Sequence, residues 1–128
     1  MMTDYLETAV LNALRGTSLR VGALYLGLFL SPPTDATPGR EPDDPQYARQ
    51  PVTLAAPKQV GDIATATTDR AYTFPAAFVN WGPVTHFGLF DAVTGGNLLL
   101  YGELDQPLTV HKWEAPSIET GGLKVTAR

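Results

Sequence analysis

The sequence predicts a mainly β protein: an antiparallel β-sandwich, jelly-roll-like, with one short N-terminal α-helix. Three observations predict it. After Gly16 the chain breaks into short apolar or alternating stretches. Turn signals built on Gly and Asn recur every dozen or so residues. Fifteen threonines and nine valines suit pleated, half-buried surfaces better than helices. There is no internal repeat, and no alternation of strands with long helices that would indicate a parallel α/β sheet. The 128 residues suit a single domain. Its parts are the helix (1–16), a proline-rich acidic loop (31–46) and the sandwich strands (47–128). At 13.7 kDa, surface scaling gives roughly 6,600 Å² folded against roughly 20,000 Å² unfolded, enough burial for a core without staples.

The helix is expected from Asp4 to Arg15. Asp4 and Glu7 form an N-cap pair at the positive end of the dipole, and Gly16 provides the stop. Leu6, Val10, Ala13 and Leu14 recur at helical spacing, widened by Tyr5 and Ala9. So short a helix is marginal alone, and its stripe must dock on its own sheet or on a neighbouring subunit. Ala23–Leu30 is a short apolar run, buried on both faces if it is a strand. Ser31–Gln46 then holds Pro32, Pro33, Pro38, Pro42 and Pro45 with Glu41, Asp43 and Asp44. Proline removes ladder donors, so this is a long loop, either a solvated excursion or a functional one. Strands follow at Tyr47–Ala55, Ile63–Thr68, Arg70–Phe74, Thr85–Asp91, Asn97–Leu104, Leu108–Val110, Ser117–Glu119 and Leu123–Thr126. Thr94-Gly95-Gly96-Asn97 and Gly121-Gly122 read as hairpin turns.

Composition excludes several classes of function. The absence of cysteine removes disulfides, thiolate metal sites and cysteine nucleophiles. A net charge of −4 with no dense Lys/Arg cluster argues against nucleic acid and anionic membranes as partners. The longest apolar run, Val21–Leu30, is about half a membrane span. Met-Met-Thr-Asp lacks the basic start of a signal peptide.

No enzyme signature emerges. His86 shares a strand face with Gly88 and Phe90, and His111 sits beside Lys112 and Trp113 at a strand end; both read as structural or surface residues. None of the three serines (Ser18, Ser31, Ser117) lies in a nucleophile elbow. Glu41, Asp43 and Asp44 lack the spacing of a calcium loop. The pairs Glu103 with Asp105 and Asp43 with Asp44 would matter only if they lined a cleft. We therefore expect no catalytic residue, no metal and no cofactor. Tyr47, Tyr72, Phe74, Phe78, Phe87, Phe90 and Tyr101 read as core, and Trp81 as closing a turn over it. Exposed Trp113 and Tyr101 would be the platform if a sugar were bound.

The motif order is more specific. Tyr5-Leu6-Glu7 leads through Arg15-Gly16-Thr17-Ser18 to Tyr25-Leu26-Gly27-Leu28-Phe29 and Pro33-Thr34-Asp35. Then come Tyr47-Ala48-Arg49-Gln50, Phe74-Pro75, Trp81-Gly82-Pro83-Val84-Thr85-His86-Phe87 and Thr94-Gly95-Gly96-Asn97. Over nearly the whole chain this resembles a family of small tailed-bacteriophage virion proteins commonly labelled tail fibre or minor tail proteins. It departs from the pattern at Gly39–Gln46, which is stiffer and more acidic, and at His111–Pro116. The resemblance implies a virion structural protein, assembled in the host cytoplasm, that contacts other capsid or tail proteins and forms a symmetric homo-oligomer, a trimer being the expected form. With no shaft-like repeat, the sequence favours capsid decoration over a tail fibre or minor tail component. The expected partner contacts are Leu6, Val10 and Leu14 on the helix and Pro32, Pro33, Pro38, Glu41, Asp43 and Asp44 in the loop.

Overall fold

The computed structural model describes residues 2–19, 22–60, 63–119 and 124–126. In chain order these form α1 (Asp4–Leu14), β1 (Leu24–Phe29), β2 (Gln50–Val52), β3 (Lys58–Val60) and β4 (Ile63–Thr67), followed by β5 (Tyr72–Thr73), β6 (Gly82–Phe90), β7 (Leu98–Val110), β8 (Ser117–Ile118) and β9 (Lys124–Thr126). The protein is mainly β, with antiparallel sheets and one short N-terminal helix, as its residue pattern predicts. The principal sheet has the order β2-β1-β6-β7; β3-β4-β9 and β5-β8 form two smaller ones.

Period-two alternation divides the principal sheet into two apolar faces. Leu26, Leu28, Val84, Phe87 and Leu89 point one way. They pack on Tyr72 of β5, Ile118 of β8 and the connecting residues Phe74, Ala77 and Trp81. Phe29, Phe90 and Leu98 point the other way, flanked by Tyr25 and Tyr101. Both faces are covered, which is why Leu26–Phe29 are buried without interruption. The hairpin between β6 and β7 turns at Gly95 and Gly96, both at positive φ (61° and 68°), where a side chain would be strained.

Several elements differ from expectation. The helix N-cap is Thr3 rather than Asp4. The Thr3 hydroxyl accepts from the Leu6 N–H and donates to the Leu98 carbonyl at 2.7 Å, so one side chain both starts the helix and fastens it to β7. The two strands expected at Asn97–Leu104 and Leu108–Val110 form one, β7. A register jump separates Val84↔Leu108 from His86↔Glu103. Tyr47–Ala55 contributes only three strand residues, because Tyr47 and Arg49 turn to tertiary partners. β3 was not foreseen: Lys58-Gln59 carries no apolar alternation. Phe78 is not core but 46% exposed, in a connection. The expected Gly121-Gly122 turn lies outside the described residues.

Candidate partner-binding surface

Proline rigidity and three polar anchors fold the loop of residues 31–46 onto the second face of the principal sheet. At its entry, Leu30 N–H donates to the Arg40 carbonyl at 2.7 Å and Arg40 N–H to Ser31 Oγ at 2.8 Å, closing the loop at its neck. A tight turn follows, with Thr34 N–H to the Thr37 carbonyl (2.8 Å) and Thr37 N–H to Thr34 Oγ1 (3.0 Å). Gly39 then lies against Phe29, so closely that a Cβ there would sit 2.4 Å from the Ser31 carbonyl. Only glycine permits that approach.

The first anchor is Asp35. Its carbonyl accepts the Asp4 N–H at 2.9 Å and its carboxylate accepts the Tyr101 hydroxyl. That hydrogen bond, with burial and the negative charges of Asp35, Asp4 and Glu7, pushes the Tyr101 pKa up to about 12. The second is Arg49, whose guanidinium is bidentate on Glu41 (2.7 and 3.1 Å) and donates to the Ala92 and Gly95 carbonyls (2.9 and 2.8 Å). It also stacks 3.5 Å over the Phe90 ring. Tyr47 donates its hydroxyl to Glu41 as well, and burial plus that carboxylate raise its pKa.

The third anchor is Asp44, buried beneath the 77–81 connection. Its carboxylate accepts from Phe78 N–H (2.6 Å), Val79 N–H (3.2 Å), Trp81 Nε1–H (2.8 Å) and Gln46 N–H (2.8 Å). Burial pushes its pKa up, and these donors outweigh it, holding the carboxyl below its ordinary 3.8.

The sequence-predicted contact residues therefore divide. Leu14, Pro32, Pro38 and Asp43 are exposed, whereas Leu6, Pro33 and Asp44 are buried. Val10 and Glu41 are half-buried, Glu41 being committed to Arg49 and Tyr47. The structure does bring helix and loop together. With the hairpin tip and Arg49 they border one open cleft of about 510 Å³. Asp43 and Asp44 do not face each other across a cleft; Glu103 is exposed, and the side chain of Asp105 lies outside the described residues. His86 is half-buried with Nδ1 2.8 Å from Thr85 Oγ1, and His111 is exposed.

A family model described as podophage GP4 fiber I protein gp80 matches residues 1–126. This chain belongs to that family. It is accordingly a bacteriophage virion structural protein of tail-fibre type. No curated protein matches the sequence. Two exposed apolar groups of this fibre protein were not foreseen in the sequence, although the exposure of Trp113 itself was. One is Leu11, 64% exposed on the outer side of α1. The other is Phe78 with Val79 and Trp113, in which the Phe78 and Trp113 rings meet edge to face at 5.2 Å. Trp113 is 63% exposed at φ 74°, an unusual backbone for a bulky residue. Tyr101, its supposed companion in a sugar platform, is half-buried and bonded to Asp35.

Proposed function

We propose that this chain is a non-enzymatic, multicopy building block of a podophage tail fibre, trimeric in its simplest form, joined to other virion proteins through α1 and the loop of residues 31–46. The family match over residues 1–126 carries the reading. The surface supports assembly: the folded chain exposes 7530 Å², against roughly 6,600 Å² for a compact monomer of this mass. Leu11, Leu14 and Trp113 contribute to that exposure. The polar chemistry supports a structural role, because the loop's conspicuous groups hold the loop. Glu41 is taken by Arg49 and Tyr47, and Asp44 by four N–H donors. A net charge of −4 disfavours packaged DNA as a partner.

Capsid decoration would use the same surfaces, and its main sequence argument was the lack of a shaft repeat. Copies stacked on one another would supply such a repeat without any in the chain. Imaging particles assembled without this protein separates the two. Tails that lose a fibre while heads keep full shell density support the proposal. Heads that lose shell density while tails remain whole overturn it in favour of decoration.

A further inference from the structure

The start of α1, with exposed Tyr5, and the exposed Phe78–Trp113 pair lie at opposite ends of the β6–β7 ribbon. Thr3 fastens α1 at the Phe90/Leu98 end. Trp113 follows directly from Val110 at the other end, where Val110 opposes Gly82. Nine residues of β6 separate these ends, roughly 26 Å at strand rise.

The two ends differ in shape and charge. At the Val110 end Trp113 and Phe78 project, and the framework beneath them is fixed by Trp113 N–H to the Ala77 carbonyl (2.6 Å), Lys112 N–H to Asn80 Oδ1 (2.7 Å) and the Asp44 carboxylate. Lys112 holds its ammonium 5.0 Å from the Trp113 ring centre, while the Glu114 carboxylate on the other side of Trp113 in sequence turns back to accept the His111 N–H at 2.7 Å. At the helix end there is a groove of about 450 Å³ between α1 and the segment after it, lined by Asp4, Tyr5, Thr8, Ala9, Asn12 and Leu19. Tyr5 and Leu19 are half exposed there (51% and 43%), and Asp4 and Glu7 make the first turn of the helix anionic. The Lys112 ammonium at the knob and the Asp4 carboxylate at the groove are thus opposite in sign.

We propose that copies of this chain join head to tail, the Trp113–Phe78 knob of one seated in the α1 groove of the next, with Lys112 against Asp4. The interface is heterologous, since each copy contributes a different patch at each junction. It closes into a ring if the rotation between copies closes, and otherwise runs on as a filament. The contact does not depend on where in the particle the protein sits. A left-handed Trp113 is the cost of presenting the knob, an expense that a purely structural turn would avoid by using glycine. The Lys112–Asp4 pairing sets the direction of joining and makes it salt-sensitive.

Sedimentation velocity on the purified full chain tests this, with circular dichroism confirming that each variant is folded. Wild type is expected to sediment as an oligomer that dissociates as salt is raised. W113A should weaken association by about 30-fold, the loss of a central aromatic anchor. T8R, which blocks the groove at an exposed helix position, should do the same. Mixed together, the two variants retain one intact junction, knob from the T8R chain and groove from the W113A chain, and should form a one-to-one dimer and nothing larger. K112E and D4K should each weaken association; mixed one to one they should restore it by alternating, since every knob then meets a groove of opposite sign, and the double variant K112E/D4K should restore it on its own. A wild type that stays monomeric at millimolar concentration overturns the proposal. So do variants that sediment like wild type, and so does a W113A protein that keeps its oligomer but loses adherence to host cell-wall polysaccharide.

Discussion

Replacing Arg49 with Met should unlock the proline-rich loop while leaving the β-sheet core packed. The methionine keeps most of the apolar stem over Phe90 but removes both bonds to Glu41 and those to the Ala92 and Gly95 carbonyls. Breaking a fully buried ion pair from one side costs about 3–5 kcal/mol. Arg49 is 9% exposed, but the Glu41 side chain keeps 23% exposure and can partly rehydrate. The lower end, about 3 kcal/mol, is therefore appropriate. For a domain of this size that is a fall in Tm of about 12 °C.

E41Q isolates the pair, since Gln retains an acceptor for the Tyr47 hydroxyl. The R49M/E41Q double variant should be less destabilised than the sum of the singles, by about 1.5–2 kcal/mol of coupling. Urea denaturation of the four proteins measures the cycle, and trypsin cleavage after exposed Arg40 reports loop release. A cost under about 1 kcal/mol for R49M, with additive singles and a loop still protected from trypsin, would refute the argument that this pair fastens the loop.

Acid should act through three carboxylates. Burial raises the Asp44 pKa and its hydrogen bonds together lower it by more; Thr53 lowers Asp69, and the Asn97 N–H lowers Asp91, so all three lie below 3.8. A depressed folded pKa contributes stability that is complete above the unfolded value and is lost as pH falls through the folded one. Thermal melts should thus be level above about pH 5 and drop below 3.8, and D44N should differ from wild type at pH 7 but converge on it near pH 2; a difference that persists in acid would contradict this. G88A should cost about 1–3 kcal/mol by overpacking, because its Cβ would meet Phe29 Cε2 at 2.6 Å and Leu98 Cδ1 at 2.7 Å; an unchanged Tm would show that the second core yields freely. W113G relieves the left-handed backbone and should raise stability by up to about 1 kcal/mol while weakening self-association as W113A does. A lower Tm would mean that the edge contact with Phe78 outweighs the strain.

How much of this was legible in the sequence depended on whether the signal was local. The helix, β1, β6 and the Gly95-Gly96 turn were readable because periodicity and turn chemistry act within a few residues. The merging of two strands into β7 was not, since the register jump opposite Thr85 is set by the partner strand. Phe78 misled for a similar reason. Its neighbours Phe74 and Trp81 are core, but Asp44, thirty-four positions earlier, holds the 77–81 connection so that Phe78 turns outward. The exposure of Trp113 was readable but its left-handed backbone was not, because a positive φ at a non-glycine residue has no sequence signature.

The loop of residues 31–46 shows how the two kinds of signal combine. Its prolines announce stiffness, and its acidic residues suggest solvation. Composition cannot distinguish an acid that meets water from one that meets donors. Asp43 is exposed, whereas Asp44, one residue on, is buried under four N–H groups. The clue lay in the Tyr47-Ala48-Arg49 segment just beyond, where Tyr47 and Arg49 both return to Glu41. Proline has already restricted the unfolded loop, so fixing it in place loses less entropy than fixing an ordinary loop of that length. Asp35 then ties the loop to α1, Arg49 ties it to the hairpin tip, and Asp44 ties it to the turn carrying Phe78. One pinned segment therefore braces both ends of the ribbon. A chain whose exposed groups are held this rigidly gives up little further freedom when it meets a neighbour, and modest patches suffice to join many copies.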